Sequence, residues 1–296
     1  MAKLKAHLWT LPRWFALTLF VSPAILGGLM AGGMTGSSWL GVLAAVLVMA
    51  GGHSFNSYLD YAWTGLDKGK IEERSAEKSY TGGQSLLARG VLSQREVLAN
   101  ALGWYALTLV PVVYLAVKVG WVVLLIAALG MLVTFFYAKG KFNWTHELVL
   151  GIGAGPLPVL MGMFATSASP PWADGLIVSV PFAIVASFAG LALDEYPDAE
   201  ANLKKGVRSV AYMVWQSGVA LEWYLSSWFL FLFTYQVFLI TIHLLSPVSA
   251  LAFILWPFLL AAMVFLKINF GKASSAIIAL GVLYPAVMVL GHALGR

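Results

Sequence analysis

The feature that most constrains this chain is a series of apolar runs, each close to twenty residues long. One of them, at residues 121–138, reads WVVLLIAALGMLVTFFYA and is apolar all round a helix. A helix needs about 20 such residues to cross the hydrocarbon core of a bilayer. Strands of a membrane barrel would instead alternate apolar with polar residues over about ten positions. The chain is therefore predicted to be an all-α, polytopic membrane helix bundle.

Composition supports the same class. Hydrophobic residues make up 60% of the chain, charged residues only 10%, and the mean hydropathy is +0.84, which excludes a water-soluble globule. The absence of cysteine excludes disulfides, thiolate metal sites and thiol nucleophiles. The first apolar run follows basic residues but is not followed by a small-residue cleavage site, so we predict no removable signal peptide.

Apolar windows predict nine spans within a single domain of residues 1–296. The segment at 209–222 is apolar but follows a loop too closely to be a separate span, so it is predicted either to extend span seven or to lie at the interface. The nine predicted spans are 14–33, 39–59, 97–117, 119–138, 146–165, 175–193, 223–243, 248–268 and 273–293.

The basic residues predict the orientation. All 18 Lys and Arg residues except Lys118 and Arg296 fall on one side of these spans. The positive-inside rule then places the N-terminus in the cytoplasm, and the odd number of spans places the C-terminus outside. The chain is predicted to be an integral multi-pass protein of the cell membrane. Its net charge of +5 is explained by topology, so nucleic acid is not predicted as a partner.

The acidic residues gather on the same predicted cytoplasmic side. Of the 13, only Asp174 lies clearly on the outer side, and Glu222 is ambiguous. Two groups carry most of the information: NSYLDYAWTGLD at residues 56–67 and LDEYPDAEAN at residues 193–202. Spans two and six both run from outside to inside. Both acidic ends are therefore predicted to face one cytoplasmic-side cavity.

A four-residue interval recurs within the two groups, which places side chains on one helix face. It relates Asn56 to Asp60, and Asp194 to Asp198 and Asn202. Gly65 and Pro197 interrupt the regular helix, so Asp67 and Asn202 are expected to be brought round by the loops. Like charges at this spacing repel, especially at a partly desolvated membrane boundary, which predicts a compensating cation.

Carboxylate and amide oxygens, without cysteine or a pair of histidines, favour magnesium over zinc or copper. Magnesium usually binds one or two carboxylates together with waters and substrate phosphates, so a phosphate-bearing ligand is predicted. Residues in the adjoining loops are candidates to bind it, although the basic ones are equally explained as ordinary positive-inside residues. They are Lys68, Lys70, Arg74, Tyr137, Lys139, Lys141, Lys204, Lys205 and Arg208.

In these residues the chain resembles the UbiA superfamily of intramembrane prenyltransferases, whose members have nine spans and aspartate-rich motifs after the second and sixth. NSYLDYAWTGLD is similar to the first motif, and DEYPDAEANLKKGVRS to the second. TGGQSLLARGVLSQREV, at 81–97, resembles the family's loop between spans two and three. FYAKGKFNWTHELVLGIGAGPLPVLMG, at 136–162, is similar to the naphthoate-prenylating branch of the menaquinone pathway.

The resemblance implies roles for individual residues. Asn56, Asp60 and Asp67 would bind Mg²⁺ and the diphosphate, Asp194 and Asp198 would hold a second Mg²⁺, and the four aspartates would be catalytic. Many relatives have a third aspartate at the position of Asn202, whose neutral amide oxygen can still coordinate metal. Substrate contacts are implied for Asn56, Arg74, Tyr137, Lys139, Lys141, Asn202 and Arg208.

The implied reaction is magnesium-dependent transfer of a polyprenyl group from an isoprenyl diphosphate to an aromatic acceptor. In the branch named above, that acceptor is 1,4-dihydroxy-2-naphthoate. A membrane terpene cyclase or another UbiA-type prenyltransferase stays open as an alternative. A cation transporter is the alternative from a different class, but transporters bind their substrates near the bilayer midplane, whereas these acidic residues cluster at one face.

Overall fold

The computed structural model describes residues 2–68 and 84–295, and every regular element in these two ranges is a helix. This confirms the predicted all-α membrane bundle. Two of the predicted phosphate-binding candidates, Lys70 and Arg74, lie outside the described residues.

Nine apolar helices, which we number α1 to α9, make up the described part of the bundle. Eight of them are long and apolar enough to cross a bilayer, whereas α1 has only 13 residues. In chain order they are α1 Thr18–Met30, α2 Gly36–Ala62, α3 Gln94–Val119, α4 Val122–Gly140, α5 His146–Thr166, α6 Trp172–Lys204, α7 Leu221–Thr241, α8 Pro247–Lys267 and α9 Phe270–Leu294.

The prediction of nine full spans is corrected at α1, which is shorter than the predicted span 14–33. On its N-terminal side, the first residues of the predicted span, Trp14–Ala16, form a 3₁₀ turn, which follows the left-handed backbone of Arg13 with φ of 54°. At the other end, Gly32 and Gly33 have φ of 126° and 111°, which is incompatible with a continuing helix.

Two of the spans are interrupted along their length. Helix α5 breaks at Gly155, where a side chain would collide with backbone atoms of α6. Helix α6 passes through a π-helical segment, Val185–Leu191, and a 3₁₀ turn, Tyr196–Asp198, before its last helical turn. Pro197 lies in that 3₁₀ turn. Proline cannot donate the backbone hydrogen bond of a regular α-helix, so it favours an interruption of the helix at this point.

Short helices connect or precede the spans. The helix Val210–Ser217 ends at Gly218, which has φ of 71°, so this apolar segment is separate from α7 and does not extend it. The remaining short helices are Ala2–Lys5, Ala6–Thr10, Trp14–Ala16 and Gln84–Ala88.

Close helix crossings hold the bundle together around the cavity described below. Helices α1 and α5 meet at Gly27 and Gly162, where a Cβ on either glycine would overlap a carbonyl oxygen of the other helix. Such small-residue contacts allow helix backbones to approach closely in membranes. The largest buried core lies among α5 to α9 and includes Phe182, Leu225 and Met288, all with no exposed surface.

Candidate active site

The first acidic group lies where α2 ends. Asn56 and Asp60 share a helix face, and Asn56 Nδ2 donates a hydrogen bond of 2.9 Å to Asp60 Oδ2. Past the end of α2, Gly65 adopts φ of 70°, and the chain turns back so that the Asp67 N–H donates to the Asp60 carbonyl oxygen at 3.1 Å. Asp60 and Asp67 are almost completely buried. The loop therefore carries Asp67 to the end of the helix.

Lys141 supplies the positive charge that the buried Asp60 requires. Its Nζ lies 2.8 Å from Asp60 Oδ1 and 2.6 Å from Oδ2, and both side chains are more than 90% buried. The same ammonium group lies 4.8 Å from the centre of the Tyr137 ring, a cation–π distance. The sequence predicted a compensating cation, and the structure identifies Lys141, which follows α4, in that role.

The second acidic group lies at the C-terminal end of α6. Asp194, Glu195, Asp198 and Asn202 all line the same cavity as Asn56 of the first group. They come from the last turns of α6, where the 3₁₀ turn Tyr196–Asp198 changes the helix path. The second group and Asn56 therefore share one space, whereas Asp60 and Asp67 are buried and are not among the residues that line it.

This cavity has a volume of about 390 Å³, within the range of small-molecule sites. Polar groups concentrate at the acidic helix ends, and much of the remaining wall is apolar. The apolar wall is drawn from α4, α5, α6, α7 and α9, and includes Ile126, Val133, Leu157, Met161, Val185, Phe229 and Ile277. A ligand that fills it would place a charged group beside the acids and an apolar group deeper in the bundle.

Only some of the predicted phosphate-binding residues lie in the cavity wall. Tyr137, Lys141 and Asn202 line the cavity. Lys139 and Arg208 have exposed side chains and are not among the lining residues, although the Arg208 backbone N–H donates to the Lys141 carbonyl oxygen at 2.7 Å. Of the candidate residues, Lys205 also lines the cavity.

A buried cluster lies beside the second acidic group, at the start of α5. His146 lies between two carboxylates, with Nδ1 3.1 Å from Glu147 Oε2 and Nε2 3.4 Å from Glu195 Oε2. Glu147 Oε1 also accepts a hydrogen bond of 2.6 Å from the Val210 N–H. The cluster joins the start of α5 to the end of α6 and to the helix that follows, and so fixes the wall that carries Asp194 and Asp198.

The residues present fit a hard divalent cation. Asn56 Oδ1 is a buried acceptor with no hydrogen-bond partner among the described residues, and it lies beside a carboxylate. Aspartate and asparagine oxygens from two helix ends are the ligand types that magnesium prefers. The His146 ring also has a carboxylate oxygen near each nitrogen, but its Nδ1 and Glu147 Oε2, 3.1 Å apart, have no hydrogen-bond partner among the described residues, so hydrogen bonding accounts only for the contact of Nε2 with Glu195.

These features define a polytopic membrane protein with one ligand cavity between two acidic helix ends. The chain belongs to the UbiA prenyltransferase family, whose sequence profile matches residues 20–283. The family resemblance found in the sequence is thereby confirmed, and its naphthoate-prenylating branch stays a prediction.

The relatives of this chain include proteins named protoheme IX farnesyltransferase. The protein from Clavibacter michiganensis subsp. michiganensis is 28% identical over 189 residues, which cover 61% of this chain and 55% of the relative. The protein from Protochlamydia amoebophila is 28% identical over 127 residues, which cover 43% of this chain and 40% of the relative. The matched segments thus span about half the length of these relatives.

Solved structures share the fold across nearly the whole chain. The apo structure of a UbiA homologue from Aeropyrum pernix K1 has a TM-score of 0.68 at 16% identity, covering 94% of this chain and 97% of that one. A UbiA homologue from Archaeoglobus fulgidus, solved with DMAPP and Mg²⁺, has a TM-score of 0.55 at 17% identity, covering 95% and 98%. At these identities the likeness concerns the fold.

Proposed function

We propose that this protein is a membrane enzyme that transfers a prenyl group from an isoprenyl diphosphate to an aromatic acceptor. The observation that carries the proposal is the cavity that has Asn56 of the first acidic group and Asp194 and Asp198 of the second in its wall and extends into an apolar interior. An isoprenyl diphosphate has the matching division into a highly charged head and an apolar tail. Membership of the UbiA prenyltransferase family supports the same reaction class.

In the proposed reaction, the bond between the allylic carbon and the diphosphate oxygen breaks, and its electron pair leaves with the diphosphate. Asn56, Asp60, Asp67, Asp194 and Asp198 would hold Mg²⁺, which would stabilise the negative charge on the leaving group as a Lewis acid. This assignment is supported by the buried Asn56 Oδ1, which has no hydrogen-bond partner in the described part of the chain, and by the relative from Archaeoglobus fulgidus that was solved with DMAPP and Mg²⁺.

The chain's own side chains would bind the leaving group and protect the remaining cation. Tyr137 and Lys141 line the cavity and are proposed to donate hydrogen bonds to diphosphate oxygens, which strengthen as charge develops. The apolar walls exclude water from the allylic cation. The electron-rich acceptor ring then forms a carbon–carbon bond with that cation, and the ring loses a proton or, if it is carboxylated, carbon dioxide.

For the acceptor, we propose 1,4-dihydroxy-2-naphthoate, on the resemblance of residues 136–162 to the naphthoate-prenylating branch. Protoheme is the second candidate, because both of the relatives described above are named protoheme IX farnesyltransferase. Incubating the purified protein with labelled farnesyl diphosphate, Mg²⁺ and either acceptor distinguishes them. A cyclised prenyl product formed without an acceptor would instead indicate a terpene cyclase, and cation flux into proteoliposomes without prenyl transfer would indicate a transporter.

The proposed site is tested by replacing one aspartate at each helix end. Asp60→Ala and Asp194→Ala are each expected to lower turnover at least about 100-fold, because each removes a ligand that stabilises the leaving group. Product formation is measured on variants that retain the wild-type elution profile. Asp174→Ala is the matched control, since Asp174 lies in the first turn of α6, at the opposite end of that helix from Asp194, and should retain full activity. Wild-type turnover in both site variants would refute the assignment.

A further inference from the structure

We propose that Arg13 binds an oxyanion, either a phosphate or a carboxylate, of one of the two substrates inside the cavity. The aspartate motifs do not supply such a cationic contact. The identity of the substrates rests on the function proposed above. Arg13 belongs to neither acidic motif and lies near the N-terminus, 43 positions before Asn56. The inference comes from its backbone, its unpartnered nitrogens and its place in the cavity wall.

The backbone at Arg13 is held in an unfavourable conformation by its surroundings. Its φ and ψ of 54° and 56° lie in the left-handed region, which costs a residue with a side chain about 1 kcal/mol or more. The adjacent Pro12 carbonyl oxygen accepts a hydrogen bond of 2.7 Å from His53 Nδ1 of α2. Leu11, which precedes Pro12, is fully buried. Neighbouring contacts therefore keep the residue in this conformation.

The rest of the N-terminal segment, residues 2–17, is fastened to the bundle as well. Lys3 Nζ lies 2.7 Å from Glu96 Oε1 of α3, and Asn100 Nδ2 of α3 donates to the His7 carbonyl oxygen at 3.2 Å. The Trp14 ring packs edge-on against Trp104 of α3, with centroids 5.9 Å apart. The position of Arg13 is thus determined by contacts on both sides of it.

The guanidinium group has hydrogen-bond donors that the described residues do not use. Nε and Nη2 of Arg13 are buried and have no hydrogen-bond partner among residues 2–68 and 84–295. Arg13 lines the cavity together with His53, Asn56 and Tyr137, and interacts electrostatically with His53 and Tyr137. Buried guanidinium nitrogens with unused donors are unfavourable unless an anion pairs with them. Arginine donors match the planar oxygens of carboxylate and phosphate groups.

Lys141 is a buried cation in the same cavity wall, and comparison with it shows what distinguishes Arg13. Lys141 is already bonded to both oxygens of Asp60. No described carboxylate is paired with Arg13. The two sources of a suitable oxyanion are the diphosphate of the donor and the carboxylate of an acid acceptor, and both share the chemistry that a guanidinium recognises.

The test compares Arg13→Gln and Arg13→Lys with Lys5→Gln. Lys5 is an exposed residue of the same segment, so its variant makes the same change of charge outside the cavity. Calorimetry measures the binding of magnesium pyrophosphate and of 1,4-dihydroxy-2-naphthoate to detergent-purified protein, and steady-state kinetics gives KM for the donor and for the acceptor separately.

We expect Arg13→Gln to weaken binding of one of these two anions about tenfold to hundredfold, as for loss of a charge-assisted hydrogen bond. Arg13→Lys should be intermediate and Lys5→Gln unchanged. Weaker pyrophosphate binding and a higher donor KM would identify the diphosphate, and the corresponding acceptor changes would identify the carboxylate.

Unchanged affinities and unchanged KM values in a folded Arg13→Gln protein would overturn the inference about Arg13, whatever the wild-type enzyme catalyses. Arg13-dependent binding of pyrophosphate by a wild-type protein that transfers no prenyl group would support Arg13 and contradict the proposed function. If Arg13→Gln does not fold, Arg13→Lys provides the test, because lysine keeps the positive charge but lacks the planar set of guanidinium donors. Wild-type affinities in that variant would overturn the inference.

Discussion

At the scale of single residues, the ion pair between Lys141 and Asp60 sets the charge balance of the first acidic group. Exposed ion pairs contribute little to stability, but removing one partner of a buried pair leaves the other charge without compensation. The nearly complete burial of both side chains places this pair in the second category. Lys141 therefore contributes to folding as well as to the site.

Lys141→Met is expected to destabilise the ligand-free protein by about 3 kcal/mol, because Asp60 is then buried without its cation. Thermal unfolding in detergent measures this as a lower melting temperature. The double variant Lys141→Met with Asp60→Asn should recover most of the loss. Lys204→Met is the control: Lys204 pairs with Glu200 at the surface, with 73% and 60% of the side chains exposed, and its loss should be nearly neutral. Equal effects at the two lysines would contradict the argument.

At the scale of helices, the crossing of α1 with α5 depends on glycine at two positions. A Cβ at Gly27 would overlap the Val159 carbonyl oxygen, and one at Gly162 would overlap the Ala24 carbonyl oxygen. Both collisions involve backbone, which cannot rotate away as a flexible side chain can. The helices would have to separate, and α5 carries the Leu157 and Met161 part of the cavity wall.

Gly162→Ala is expected to cost about 2 kcal/mol, the usual scale of overpacking at a tight contact. It should also lower activity, because separating α1 from α5 shifts the cavity wall. Gly103→Ala is the matched control: Gly103 lies within α3, where an added Cβ meets no atom within 4 Å. That variant should be as stable as the wild type or slightly more so. Melting temperatures of the two variants decide, and a Gly162→Ala protein as stable as Gly103→Ala would refute the crossing argument.

At the scale of the whole molecule, the arrangement of nine apolar helices predicts that the two termini lie on opposite sides of the membrane. The natural absence of cysteine makes a direct test possible without prior substitutions. Lys5→Cys should react with an impermeant maleimide only in inside-out vesicles, and Arg296→Cys only in intact cells. Labelling of both positions from the same side would show that α1 or another helix does not cross.

Much of this architecture could be predicted from the sequence, because the transfer of apolar residues into lipid depends on local composition. The meeting of the two acidic groups followed from the direction of spans two and six. The pairing of Lys141 with Asp60, 81 positions apart, depends on tertiary packing that no local pattern encodes. The same holds for Arg13, whose left-handed backbone is unusual for arginine, and for His146, whose carboxylate partner Glu195 belongs to another helix.

Lys141 also connects the two acidic segments through hydrogen bonds. Its side chain is bonded to Asp60 at the end of α2, while its carbonyl oxygen accepts the Arg208 N–H just beyond α6. A cation that displaces the ammonium group from Asp60 would therefore move Lys141 and, through its carbonyl oxygen, the segment that follows Asp198. We expect the two proposed metal positions to fill cooperatively, so that the rate rises sigmoidally with magnesium concentration instead of following a simple hyperbola.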